Sequence, residues 1–542
     1  MVIPPIRWSV WASLFAALSC ARQPRDADLR RSAADSPHTG VCYEVFVRSF
    51  ADADGDGVGD LRGLISHLDY INDGNPQSTR DLGASCIWLM PIAKSVSYHG
   101  YDVTDYYHVD PRYGTDEDFR ELVRAAHKRG IRVIVDFVPN HSSSEHPWFQ
   151  SALRDTASPY RSWYRWSAVN PNQPGPWGQV AWHKSPVRDE YYYGVFWQGM
   201  PDLNYQNPAV VKEMEKVTAY WLNEMGVDGF RFDAIPYLVE EGNQLKHTRG
   251  THRILHLLGD AIRREAPGSF TVGEMGDGSI DDLASYYPDQ LDSYFAFNVA
   301  AATVEAARTG DATPFFNALL QTNRKLPAGR WSPFLTNHDQ PRTMSVLSDW
   351  AKARVAASAM LMLPGVAFVY YGEEIGMNGS KPDEQIRTPM QWNSAVGAGF
   401  TTGTPWEAFQ PDWASKNVAA QDRDSASLLN HYRRLIHLRN QHSALSGGDL
   451  QQGAAMDPAV AAIMRRSPEE TIMVVLNFGG RVIDRVLIMF EPAPRGGQYR
   501  LEPLYDDPSS GCFVAGISAG GAAITVGNVA PHSLCTFRVI SS

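Results

Sequence analysis

The chain has 542 residues, 44% of them hydrophobic and 20% charged, with a formal net charge of −11. That is the composition of an ordinary globular protein, long enough for a large core plus satellite domains. The acidic balance argues against nucleic acid or an anionic membrane surface as partner.

The chain opens with MVIPPIRWSVWASLFAALSC, one Arg followed by an apolar run of signal-peptide length. Small residues before Cys20 make it similar to a bacterial lipoprotein cleavage box. Residues 1–37 are therefore expected to be an export signal and tether, giving an extracytoplasmic protein, secreted or lipid-anchored through Cys20. Alternation of strand and helix follows. VCYEVFVRSF (41–50) reads as a strand, and Leu61, Leu64, Ile65, Leu68 and Ile71 recur at helical spacing. CIWLMPI (86–92) is a second strand, and Thr115 with Asp118 opens a helix that ends at Gly130. IRVIVDFV (131–138) is a continuous apolar strand, as expected when helices cover both faces.

Residues 141–205 interrupt the pattern, being rich in Pro, Trp, Tyr and Gly without helical period, and read as a looped insertion. Strands VDGFRFDA, SFTVGE, LDSYFAFNV, WSPFLTNHD (331–339) and GVAFVYYGEE (365–374) then complete a set of eight. Eight strands each followed by a helix or loop imply a parallel (β/α)8 barrel over 38–445, with a doubly wound open sheet as the structural alternative. From 446 to 542 short alternating runs such as TIMVVLNF and SLCTFRVI imply a separate antiparallel β-sandwich domain. Export leaves Cys42, Cys86, Cys512 and Cys535 in an oxidising compartment, where three pairings or free buried thiols are all open.

Chemistry is expected at the C-terminal ends of the barrel strands. Four of them end in polar clusters: DFVPNHSS (136–143), GFRFDA (229–234), VGE (272–274) and LTNHDQPR (335–342). Strand alternation puts Arg231 and Asp233 on one side, with Phe230 and Phe232 on the other. Asp233, Glu274 and Asp339 then converge from three strands beside one Arg and two His, a set suited to glycoside hydrolysis by paired carboxylates. Separately, DADGDGVGD (52–60) alternates carboxylates on a glycine-rich turn like a calcium loop, but Gly63 stands where an EF-hand needs its bidentate Glu.

At DFVPNH, GFRFDA, VGE and FLTNHD, together with MPDLN (200–204) and GVAFVYYGEEIGM, the sequence resembles the α-amylase family of glycoside hydrolases. It is most similar to the intermediate group between oligo-1,6-glucosidases and neopullulanases. The resemblance implies Asp233 as nucleophile, Glu274 as general acid/base and Asp339 as transition-state stabiliser. It implies that Arg231, His141 and His338 hold the sugar and that Tyr101 stacks on it. It also implies a structural Ca2+ held by Asp52, Asp54, Asp56, the Val58 carbonyl and Asp60. Pro236-Tyr237 replaces the family's Lys-His pair, so no second calcium is expected at Asn140.

RTPMQW (387–392) occurs in exo-acting relatives, where the Arg pairs with an Asp whose place is taken here by Tyr98. Without that ion pair Arg387 and Tyr98 should leave the substrate pocket open to longer chains. A retaining endo-α-1,4-glucan hydrolase on starch, glycogen or maltooligosaccharides is therefore expected, as a monomer. The alternatives are an exo-α-glucosidase, a trehalose-forming isomerase favoured by DAIPYL, or a catalytically dead carbohydrate-binding relative.

Overall fold

The computed structural model describes residues 39–493, 499–506 and 511–541. The expected leader, tether and Cys20 lie outside the described residues. Among the described residues no helix is long and apolar enough to cross a membrane.

Seven strands form one parallel sheet: β1 (Val41–Val45), β2 (Cys86–Leu89), β3 (Arg132–Phe137), β4 (Gly229–Phe232), β5 (Phe270–Gly273), β6 (Ser293–Tyr294) and β7 (Ala367–Tyr370). Their order is β6-β5-β4-β3-β2-β1-β7. The expected strand at 331–339 closes this sheet into a barrel without becoming a regular strand. Ser332 N donates to Tyr294 O at 2.9 Å, Ala296 N donates to Ser332 O at 3.0 Å, and Phe368 N donates to Pro333 O at 2.8 Å. Pro333 has no N–H to give a ladder, so the segment bonds both neighbours and still reduces to the single parallel bridge Phe295–Ser332. The fold is thus a (β/α)8 barrel.

Three element boundaries differ from the sequence reading. The helix expected over Leu61–Ile71 breaks at His67 into Leu61–Ser66 and Leu68–Ile71, while Leu61, Leu64, Leu68 and Ile71 keep their common buried face. The run LDSYFAFNV is strand only at Ser293–Tyr294 and already helix from Phe297, because a short apolar run does not distinguish the two. The 141–205 insertion holds a helix, Pro147–Arg154, with Pro147 in its first turn and the His146 ring accepting from Trp148 N. It also holds a three-stranded sheet of Trp166–Ser167, Tyr191–Tyr193 and Trp182–Lys184. These elements are too short to show a period. The Thr115–Asp118 capping box forms as expected, each side chain meeting the other's backbone N–H.

The C-terminal residues form one eight-stranded antiparallel sheet. In Val460–Arg466, Ala461 and Ile463 join the barrel's hydrophobic cluster, while Val460, Ala462 and Met464 join a separate core within the sheet. Period-two alternation therefore buries both faces, one of them against the barrel. Cys42 and Cys86, register partners on β1 and β2, form a disulfide, and so do Cys512 and Cys535.

One glycine governs how closely β4 packs against β5. Gly229 opens β4 at φ +152°, and a Cβ there would lie 1.9 Å from the Phe270 carbonyl oxygen on β5. Gly229→Ala is expected to destabilise the protein by roughly 1–3 kcal/mol through backbone strain and to lower its melting temperature. Gly268→Ala, whose Cβ would meet nothing within 4 Å, is the control and should leave the melting temperature unchanged in differential scanning calorimetry.

Candidate active site

Register brings the site together. Asp136 on β3 is the Cα partner of Arg231 on β4, which is in turn the partner of Val272 on β5. Asp136, Arg231 and Asp233 consequently project to the same side of the sheet. Arg231 is fully buried, and its Nη1 donates to Asp136 at 2.8 Å and to Asp233 Oδ1 at 2.8 Å. Its Nη2 stands 2.8 Å from Glu274 Oε2, too bent for a hydrogen bond but close enough for an ion pair. Ala234, held in the left-handed region at φ 48°, aims its N–H at the same Glu274 oxygen, 3.2 Å away.

One guanidinium thus faces three carboxylates. Burial pushes Asp233 up to about 6, against the pull of Arg231 and with further push from Asp136 and Asp339. Burial likewise raises Glu274 to about 7 despite Arg231, with Asp233 and Asp339 adding to the rise. Asp136 is raised to about 6, again by burial against Arg231. The environment therefore keeps a proton on this group near neutral pH.

Asp339 has the opposite setting. Burial alone would raise it, but the adjacent His338 and Arg387 hold it well below the usual carboxylate range. Arg387 Nη2 lies 2.7 Å from Asp339 Oδ1, and His338 Nε2 lies 3.2 Å from Oδ2. His338 is itself raised to about 9, burial being outweighed by Asp339 and Glu44. Its Nδ1 sits 2.6 Å from Glu44 Oε1 and its Nε2 2.6 Å from the Tyr101 hydroxyl, which donates on to Asp136 Oδ2 at 3.0 Å. His141 is neutral, lowered to about 4 by burial.

A cavity of about 390 Å³ opens over this array, lined by Asp233, Glu274, Asp339, Tyr101, His141 and Arg387 among others. Of the expected site residues, Arg231 and His338 are completely buried and sit beneath the lining, where they set the charge of the carboxylates. Tyr98 is not among the lining residues: its ring stacks on Trp406 at 5.3 Å, and the Arg387 guanidinium lies 5.8 Å from its centroid. Arg387 turns to Asp339 and Asp383 as its ionic partners. Asp136 and Glu44 were missed by the sequence reading. Each is the single acid of a strand whose neighbouring residues are apolar, and that oddity is the signal that would have found them.

The acidic loop lies after β1. Oxygens of Asp52, Asp54 and Asp60 gather within 4.8 Å of one another. Asp56 stands apart from that trio and accepts from Val58 N at 2.7 Å. A hydrogen bond from the Asp56 backbone lowers Asp54, but burial and the charges of Asp56, Asp52 and Asp60 carry it above its ordinary value. Three hard oxygen donors held together against their own repulsion fit a divalent cation of the calcium type.

The family profile described as alpha amylase, catalytic domain, matches residues 44–448. The chain belongs to the α-amylase family of glycoside hydrolases. It is 39% identical over 445 residues to alpha-amylase 3 of Dictyoglomus thermophilum, covering 81% of this chain and 84% of that one. It is 35% identical over 505 residues to the trehalose synthase/amylase of Mycolicibacterium smegmatis, covering 82% of each. Among solved structures, the alpha-amylase from H. orenii superposes with a TM-score of 0.82 at 38% identity, over 94% of this chain and 100% of that one.

For this family member kcat/KM on an α-glucan oligosaccharide should follow a bell in pH. The acid limb falls near 6, where Asp233 gains a proton, and the basic limb near 7, where Glu274 loses one. Asp136 raises Asp233, so Asp136→Asn should move the acid limb to lower pH. A limb that stays in place or moves upward would contradict this charge assignment.

Proposed function

We propose that the protein is a retaining, endo-acting α-1,4-glucan hydrolase that cuts starch, glycogen or maltooligosaccharides. The observation that carries the reading is the single guanidinium of Arg231 shared by Asp233 and Glu274 beneath one cavity that Asp339 also lines. Asp233 attacks the anomeric carbon, and Glu274 gives its proton to the leaving oxygen. Water then attacks the same carbon while Glu274 takes a proton from it, the bond to Asp233 breaks, and the sugar leaves with its original anomeric configuration. Asp339, kept ionised by His338 and Arg387, supplies fixed negative charge where the ring carbon becomes positive.

Endo action rests on position 98. With Tyr98 where exo-acting relatives carry the Asp that pairs with this arginine, Arg387 pairs with Asp339 and Asp383 instead. The likeness to the D. thermophilum alpha-amylase supports the same reading. The second reading, isomerisation of maltose to trehalose, is favoured by the likeness to the M. smegmatis trehalose synthase/amylase. The two part on the products of maltose and maltoheptaose. Mixed short maltooligosaccharides from maltoheptaose support the proposal, whereas trehalose from maltose, or glucose alone from maltoheptaose, would overturn it.

We place a structural Ca2+ at Asp52, Asp54 and Asp60, where it would cross-link the loop after β1 and take no part in the chemistry. An extracytoplasmic location, with Cys20 as lipid attachment point, rests on the leader pattern alone, and mass spectrometry of the mature N-terminus tests it.

Glu274→Gln should lower kcat by at least about 10²–10⁴-fold, the usual worth of general acid–base help, while maltoheptaose binding by calorimetry persists. A chelator should lower the melting temperature and added Ca2+ restore it, whereas Asp54→Ala should make the protein indifferent to both. A melting curve of the native protein that ignores chelator would refute the metal.

A further inference from the structure

A second cavity, of about 560 Å³, is larger than the catalytic one and shares none of its lining residues. It lies between the start of the helix Trp350–Leu361 and the segments around Asp412–Lys416 and Gln421–Leu428. In a (β/α)8 barrel each helix begins on the face where the preceding strand ends. Trp350, the first residue of its helix, therefore stands on the same face of the barrel as Asp339.

The lining has the makings of a carbohydrate site. Trp350 is 45% exposed, and Gly376 supports its ring from one edge, since a Cβ there would lie 2.7 Å from the indole. The Lys416 ammonium stands 5.3 Å from the ring centroid and pairs with Asp412 Oδ2 at 2.7 Å. Asp412 keeps 35% of its side chain exposed at the cavity wall, where a ligand can reach it. The titratable lining residues are two cations, Arg354 and Lys416, and two carboxylates, Asp412 and Asp424. That balance suits neither an anion nor a cation. It suits a neutral ligand with hydroxyl donors and a flat apolar face, which is the chemistry of a pyranose ring.

We propose that this cavity is a second α-glucan-binding site, in which a glucosyl ring packs on Trp350 and gives a hydroxyl hydrogen bond to Asp412. The proposal rests on the α-glucan reading of the catalytic site and extends it. Because both sites open on one face, a polymer held at Trp350 raises the concentration of its own neighbouring segments at Asp233 and Glu274. A short oligosaccharide filling only the catalytic cavity gains nothing from it.

The test compares the native enzyme with Trp350→Ala and Asp412→Ala by electrophoresis through glycogen-containing native gels, and by kcat/KM on glycogen and on maltotriose. Loss of one stacking platform or one acceptor at the cavity wall should weaken glycogen retardation about three- to tenfold in each variant. Glycogen kcat/KM should fall in step, while maltotriose kcat/KM and the melting temperature stay at native values. Asp412→Ala leaves the indole in place, so it still decides the matter should Trp350→Ala fold poorly. Native-like glycogen retardation in both variants, or a maltotriose loss equal to the glycogen loss, would overturn the site. A native enzyme that cleaves neither sugar overturns the catalytic reading instead, and does so independently of the gel result.

Discussion

The structure depends on one buried cation that is outnumbered. Arg231 sits at the end of β4 with no exposure to water, and Asp136, Asp233 and Glu274 all converge on its guanidinium. Removing charges from water is expensive, and a pair is tolerated only when the geometry returns most of that cost. One positive charge cannot settle three negative ones, so the group keeps a proton at neutrality. A glycosidase needs this imbalance. The nucleophile must be ionised while its neighbour, a few ångströms away on the same arginine, must still hold a proton to give.

The other half of the mouth works in the reverse sense. Glu44 and Asp339 charge His338, and His338 with Arg387 keeps Asp339 negative. Tyr101 links the halves, its hydroxyl touching both His338 and Asp136. The acidic loop after β1 is knitted into the same region. Asp52 N donates to Phe400 O at 2.8 Å, and Trp406 N donates to Gly57 O at 2.9 Å. Trp406 then stacks on Tyr98, which lies under Arg387. A cation bound at this loop, as proposed above, would therefore also brace the platform behind the arginine that holds Asp339.

Much of this was legible in the sequence because two periods were clean. The two-residue alternation of GFRFDA put Arg231 and Asp233 on one face, and the apolar runs at 86–89 and 132–137 marked strands covered on both sides. Where the period failed, so did the boundaries. Pro333 leaves the seventh barrel position without a ladder, the run at 291–299 suits strand or helix equally, and the insertion's elements are only a few residues long. The roles beneath the surface were the least legible. Composition and spacing do not say that Arg231 and His338 lie under the pocket, that Arg387 reaches Asp339, or that Asp136 and Glu44 complete the charge network. Those facts belong to the tertiary register.

Carbon-13 NMR of the protein labelled at its carboxyl carbons, with Asp233→Asn and Glu274→Gln used to assign the two resonances, would read the shared proton without substrate. The account predicts two linked transitions, one near pH 6 and one near pH 7, with Glu274 still protonated when Asp233 is mostly ionised. Both carboxyls fully ionised and independent at pH 5 would show that Arg231 neutralises the group after all, and the account of the site would fall with it.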